Sequence, residues 1–240
     1  MVTIKRTLIA VVILIILVLS YIIIKEESHE RLFSQVKSKV YPSYTYLNNP
    51  HYQARNEFFA ADSFQKNIVM LGNSHTGRIN WNDLLNREDI ANRGIGSDIT
   101  EGFMNRLNSV INLHPKICFI EGGVNDIAKE IPSEVTINNL NRIIDTLVYH
   151  KITPVLMVVT LVANNYPRSR IFNKKVKELN IGINQIAADK HIAIIDLNPI
   201  LSDGENLKRK YAESGGIHFT KTAYLVWRDE VLKILNHEKI

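Results

Sequence analysis

The chain has 240 residues, enough for one α/β domain with a full core and short for two. With 45% hydrophobic and 22% charged residues, its composition is that of an ordinary globular protein. The formal net charge of +5 includes Lys5 and Arg6 at the N-terminus, and no basic run of the kind that tracks phosphates appears, so a nucleic-acid partner is not expected.

The first element in chain order is apolar on every face. Leu8 to Ile24 (LIAVVILIILVLSYIII) carries no charge and follows Lys5 and Arg6 directly. About 17 residues of helix span roughly 26 Å, near the lower limit for a hydrocarbon core of about 30 Å, and Lys25 can snorkel. The bulky ending Ser20-Tyr21-Ile22-Ile23-Ile24 lacks the small residues of a cleavage site, which favours an uncleaved signal-anchor over a cleaved signal peptide. The positive flank then stays in the cytoplasm and the rest of the chain lies outside it, at the cell surface or in the periplasm. The expected organisation is an anchor over 1–25, a juxtamembrane connector over 26–64 and a domain over 65–240. Tyr41-Pro42-Ser43 and Asn48-Asn49-Pro50 break the connector, and Gln53 to Ala61 reads as a helix with Phe58 and Phe59 packing on the domain.

From Asn67 onward strands and helices alternate. Ile68 to Leu71, Ile90 to Asn92, Ile117 to Glu121, Pro154 to Thr160 and Ile192 to Asp196 are short apolar runs that suit strands covered on both faces. Between them lie helical patterns. Asp98 with Glu101 forms a potential capping box ahead of Phe103, Leu107, Val110 and Ile111. Ile137, Leu140, Ile144, Leu147 and Val148 mark the next helix, and Ile171 to Ala188 another. The last runs from about Thr220, with Tyr224, Trp227, Val231 and Leu235 inward. Alternation of this kind predicts a parallel sheet with helices on both faces and a site beyond the carboxyl ends of the strands. The single cysteine, Cys118, falls within an apolar run and reads as core filler.

Three segments carry chemistry. Gly72-Asn73-Ser74-His75 places a hydroxyl just after the first strand, where a helix start aims amides at a developing anion. Gly122-Gly123-Val124-Asn125-Asp126 offers a side-chain amide after the third strand, with Asp126 expected to cap the following turn. Gly215-Gly216-Ile217-His218 offers an imidazole ahead of the last helix, whereas His29, His51, His114, His150 and His237 read as surface residues. His75 is expected to shape a substrate pocket. A nucleophile, an oxyanion donor and a base are the parts of an ester hydrolase. Asn92-Arg93-Gly94-Ile95-Gly96-Ser97-Asp98 resembles an anion-binding nest; it is not a dinucleotide fingerprint, because Ile99 occupies the third glycine position. No clustered ligand set for a metal appears, and no cofactor is expected.

Together these four pieces resemble the SGNH (GDSL-like) hydrolase family over about residues 50–235. Asn92 to Leu107 (NRGIGSDITEGFMNRL) is the closest stretch, and His51 to Phe59 (HYQARNEFF) is similar to a lead-in of some members. The resemblance implies a three-layer flavodoxin-like α/β fold and a serine esterase mechanism. It implies Ser74 as nucleophile and His218 as base. It assigns the oxyanion to the amide of Ser74, an amide of the Gly96-Ser97 turn and the side chain of Asn125.

The chain departs from the family pattern at three points. Asn73 stands where an aspartate is usual, and Ser97 where a glycine is usual. More seriously, Gly215 stands three residues before His218, where the family carries the aspartate that orients the histidine. Disabling that acid in a triad costs on the order of 10⁴ in turnover. A carbonyl of the 213–215 loop, or the Glu213 side chain, would have to take its place, or hydrolysis is lost. The expected activity is hydrolysis of carboxylic esters, with O-acyl groups on glycans or lipid acyl esters as partners outside the cytoplasm. The alternatives are an acyltransferase acting on envelope glycans and a catalytically impaired binding module.

Overall fold

The computed structural model describes Tyr21 and residues 44–240 other than Ser63, and Tyr44–Ile240 forms a compact unit. The apolar run Leu8–Ile24 and the Tyr41-Pro42-Ser43 turn lie outside the described residues, apart from Tyr21. No helix among the described residues is long and apolar enough to cross a membrane.

Five strands, β1 (Ile68–Gly72), β2 (Ile90–Gly94), β3 (Ile117–Glu121), β4 (Thr153–Met157) and β5 (Ala193–Ile195), form one parallel sheet in the order β2-β1-β3-β4-β5. Ten helices accompany them among the described residues: α1 (Tyr52–Ala61), α2 (Ser74–Gly77), α3 (Trp81–Leu85), α4 (Thr100–Asn105), α5 (Asn108–Ile111), α6 (Val124–Ala128), α7 (Ser133–Tyr149), α8 (Ser169–Lys190), α9 (Asn198–Leu201) and α10 (Lys221–Glu238). The two-residue period of each strand sends alternate side chains into opposite layers. Val69, Leu71, Cys118, Ile120 and Leu156 meet Phe103, Val110, Ile144 and Val176 of α4, α5, α7 and α8. Ile68, Met70, Ile117, Phe119 and Val155 meet Trp81, Trp227 and Val231 of α3 and α10. Every residue of β1 and β3 is buried, so each large apolar side chain there contributes about 1.5–3 kcal/mol of transfer free energy. Burial pushes the Cys118 thiol up to about 12, which suits filler and not a nucleophile.

This strand order is the flavodoxin-like one, in which the chain reverses direction between β1 and β3. In sheets of this order, ligands bind outside the carboxyl ends of the strands at the switch point, here β1 and β3. Ser74 follows β1 and Asn125 follows β3.

Several sequence expectations change in detail. β4 ends at Met157: the Val158 N–H still bonds the Ile195 carbonyl at 3.0 Å, but beyond it the backbone of Val159, Leu161 and Val162 bonds to asparagine side chains, the Leu161 N–H to Asn198 Oδ1 at 2.9 Å. Asn180 bonds the N–H and C=O of Val159, both at 2.8 Å, and Asn173 bonds those of Val162 at 2.8 and 2.9 Å. The helical pattern after Asp98 breaks into α4 and α5. The Asp98–Glu101 capping box does not form. Asp98 pairs with Arg106, and Glu101 accepts from the Tyr46 N–H at 3.2 Å. Asp126 caps α4 rather than its own following turn, accepting from the N–H and hydroxyl of Thr100. Phe59 is buried as expected, whereas Phe58 and Val148 face outward; Ile143 takes the core position on α7. The inward stripe of α10 is as expected, with Tyr224, Trp227, Val231 and Leu235 all buried.

Candidate active site

The site begins with a turn too tight for any side chain but hydrogen. A Cβ on Gly72 would sit 2.1 Å from Thr76 Oγ1, so glycine lets α2 fold back directly over the end of β1. Asn73 caps α2, its Oδ1 accepting from the His75 N–H at 2.9 Å, and Ser74 is the first helical residue. The Asn73 Nδ2 donates to Glu121 Oε1 at 2.9 Å. An aspartate at 73 would set two carboxylates against each other, so the Asn73 departure belongs with Glu121.

His218 reaches this point from a loop after the last strand. The loop closes through an Ala212–Phe219 antiparallel bridge and a Glu213 N–H to His218 C=O bond of 2.8 Å. Gly216 turns it at φ +78°, and its carbonyl accepts from the Ala163 N–H at 2.7 Å. Asn165 Nδ2 donates to the Ser214 carbonyl at 2.6 Å. His218 Nε2 then lies 3.1 Å from Ser74 Oγ. For Nε2 to accept the hydroxyl proton, the ring proton sits on Nδ1. Burial lowers the His218 pKa from 6.5, His75 and Arg78 lower it further, and Glu213 opposes them. The neutral, proton-accepting form therefore extends below the usual histidine range.

Neither expected substitute for the missing aspartate engages His218. Glu213 is tied to Arg78 at 2.9 Å, and its carbonyl accepts from Gly216 N–H. The Ser214 carbonyl is taken by Asn165. A Cβ on Gly215 meets nothing within 4 Å. The expected role of His75 is also corrected. Only 2% exposed, it cannot line a pocket; it packs flat on Phe219 with ring centroids 4.5 Å apart.

The expected oxyanion pieces are fastened to the same strand ends. The Ile95 N–H donates to the Gly72 carbonyl at 3.1 Å, and a Cβ on Gly94 would lie 2.2 Å from Gly77 N, so the Gly96-Ser97 turn leaves β2 pressed against α2. Ser97 holds φ +61°, the left-handed region glycine prefers, so the backbone shape survives the loss of the family glycine. Gly96 has an ordinary φ, and its carbonyl accepts from the buried Asn49 Nδ2 at 2.8 Å. Asn125 follows Gly123, which takes φ +112° at the start of α6, and its Nδ2 donates to the Asp98 carbonyl at 2.8 Å.

Residues the sequence did not single out set this frame. Arg106, fully buried, donates to Asp98 Oδ2 at 2.8 Å and to the carbonyls of Arg93 and Gly72 at 2.8 and 3.0 Å, joining the ends of β1 and β2 to the segment after the Gly96-Ser97 turn. Arg93 pairs with Asp62 at 2.9 Å and lies over Phe59. Burial drives the Asp98 pKa up to about 6 against the pull of Arg106, and burial also raises Asp126. The only sequence signal was charge at apolar-pattern positions: Arg106 precedes Leu107 on the inward face. No group of three or more metal-ligating side chains occurs among the described residues.

The family these features define is matched directly. The GDSL-like Lipase/Acylhydrolase family matches residues 62–226, and the chain belongs to it. Solved structures share the fold. A GDSL-like lipase from Bacteroides thetaiotaomicron aligns with 78% of this chain and 98% of its own at 24% identity and a TM-score of 0.68. The lipase/acylhydrolase from Enterococcus faecalis aligns with 72% and 97% at 22% identity and 0.62. The psychrotrophic esterase EstA from a Pseudoalteromonas species, inhibited by monoethylphosphonate, aligns with 73% and 98% at 20% identity and 0.57. No curated protein matches the chain.

Proposed function

We propose that the chain is a serine esterase that cleaves carboxylic esters outside the cytoplasm, anchored by Leu8–Ile24. The carrying observation is the 3.1 Å contact between Ser74 Oγ and His218 Nε2 at the carboxyl end of β1. Ser74 Oγ attacks the ester carbonyl as its proton passes to His218 Nε2. The new C–O bond leaves an oxyanion facing the amides of Ser74 and the Gly96-Ser97 turn and the Asn125 side chain. His218 returns the proton to the departing alcohol, and water repeats the sequence in reverse on the acyl-serine. A location outside the cytoplasm favours O-acyl groups on glycans or lipid esters near the membrane as substrates.

The test is hydrolysis of p-nitrophenyl acetate and butyrate by the full-length chain, with Ser74→Ala and His218→Ala beside it. Loss of a complete triad costs on the order of 10⁶, and the acid accounts for about 10⁴ of that, so each variant should lose at least roughly 100-fold. Ethylphosphonate labelling should stop in Ser74→Ala. Turnover indifferent to both substitutions would sink the reading. A second reading, a binding module without turnover, is favoured by one observation: Glu213 is held by Arg78, and no carboxylate among the described residues contacts His218. Ester or glycan binding without acylation of Ser74 would select it.

A further inference from the structure

Beside Ser74 lies a buried His75–Glu121 contact that the mechanism above leaves unused. His75 and Glu121 are 2% and 5% exposed. Both ring nitrogens of His75 face acceptors: Nε2 lies 2.9 Å from the Ile217 carbonyl and Nδ1 3.4 Å from Glu121 Oε1. Glu121 is itself surrounded by donors, Asn73 Nδ2 on Oε1 at 2.9 Å and Thr76 Oγ1 on Oε2 at 3.4 Å. A neutral imidazole has one N–H and satisfies only one of its two acceptors; an imidazolium satisfies both. Burial alone lowers the His75 pKa, but the hydrogen bond and charge of Glu121, with the Ile217 carbonyl, outweigh it and leave it raised.

The carbonyl that His75 grips belongs to the peptide joining Ile217 to His218. On the other side of His218, Phe219 stacks on the same imidazole. His75 therefore holds both neighbours of His218, Ile217 by its backbone carbonyl and Phe219 by its ring, while Gly215 supplies nothing. We propose that the His75–Glu121 ion pair is the positioning device that replaces the missing acid, fixing the Ile217–His218 peptide so that the His218 imidazole stays against Ser74. This rests on the serine esterase reading.

The device differs from an aspartate in its electrostatics. A carboxylate on the base stabilises its imidazolium; the His75 cation lowers the His218 pKa instead. The groups facing His75 are Glu121 from β3, Arg78 just past the end of α2, His218 from the loop, and the Tyr224 hydroxyl of α10, which donates to the His75 carbonyl at 2.8 Å. Geometry is retained, and charge stabilisation is not.

The test uses the full-length chain and its Glu121→Gln, His75→Gln and His75→Ala variants, each with and without Gly215→Asp, assayed for kcat and KM across pH. His75→Ala should lose about tenfold or more in kcat with KM little changed. His75→Gln, whose amide can still donate to the Ile217 carbonyl, should recover most of that loss. Glu121→Gln removes the charge that keeps His75 protonated, so the acid limb of kcat/KM should move to higher pH as His218 loses its cationic neighbour. Gly215→Asp should raise kcat about tenfold or more in His75→Ala and much less in the parent, the non-additivity expected of two devices for one task. An unchanged acid limb in Glu121→Gln, or an equal effect of Gly215→Asp in every background, overturns the proposal. If the parent shows no Ser74-dependent turnover, the esterase reading fails on its own, and the pair is judged by NMR of [¹⁵N]histidine-labelled chain. His75 doubly protonated at pH 7, with His218 titrating higher in Glu121→Gln than in the parent, keeps the pairing; a neutral His75 overturns it. The same spectra decide the matter if His75→Ala does not fold.

Discussion

The two sides of the candidate site are held by different forces. On the Ser74 side, the ends of β1, β2 and β3 are tied by buried polar and charged groups: Arg106 to Asp98, Arg93 to the partly exposed Asp62, His75 to Glu121, and Asp126 to the start of α4. On the histidine side, the loops after β4 and β5 are tied by neutral amides, with Asn180, Asn173 and Asn165 bonding to backbone, and by exposed pairs, Arg78–Glu213 and Lys177–Glu205. A buried charge is intolerant, because losing its partner leaves it unpaired in a low dielectric. The exposed amide of Asn165, which ties the loop that carries His218, can be replaced by water, unlike the buried Asn173 on α8. The frame that presents Ser74 is therefore rigid and brittle, and the loop that presents His218 is adjustable.

Substitutions can break or sharpen that contrast. The largest effect is expected at Arg106. Arg106→Leu leaves Asp98 and two backbone carbonyls without their donor and should cost about 3–5 kcal/mol of stability in denaturant unfolding. A cost below about 1 kcal/mol would remove the distinction between the two sides. Asn165→Ala, on the other side, should cost only about 0.5–1.5 kcal/mol while lowering kcat several-fold, because the Ser214 carbonyl loses its tie and the loop loosens. Arg78→Met should scarcely change stability, as expected for an exposed pair. It should still shift activity with pH. Arg78 holds the His218 pKa down and neutralises Glu213, so its removal raises that pKa on both counts. The rate at pH 6 should fall relative to that at pH 8, and an acid limb that stays in place or moves lower would contradict the assignment. The smallest effect is expected at Ser97. Ser97→Gly relieves a left-handed backbone and should raise stability by up to about 1 kcal/mol with activity kept, whereas the β-branched Ser97→Val should lower both.

The sheet was legible because burial on both faces writes itself locally, as runs such as Ile68-Val69-Met70-Leu71 and Ile117-Cys118-Phe119-Ile120. Strand ends were less so. Pro154 to Thr160 reads as one apolar run, yet only part of it pairs, since what stops the ladder is three asparagines on other elements. The positions of Ser74, Asn125 and His218 at loop and helix starts were also legible, because glycines mark those turns. The partners of the buried polar groups were not. Asp126 and Thr100 are 26 residues apart, Glu121 and His75 46, and Ile217 and His75 142.

For this chain, then, the local periodicity of apolar residues and the placement of glycine determined an α/β sheet with a hydroxyl, an amide and an imidazole at its carboxyl edge. Tertiary structure alone decided which group meets which: that Asp126 caps α4 in place of the Asp98–Glu101 box, that Ser97 takes a glycine's conformation, and that His75 turns inward against Glu121 and the Ile217 carbonyl rather than outward to line a pocket. The physical reason is range. Hydrophobic burial is non-directional and can be read one residue at a time, whereas a buried hydrogen bond or ion pair exists only between two particular atoms that the chain must first bring together.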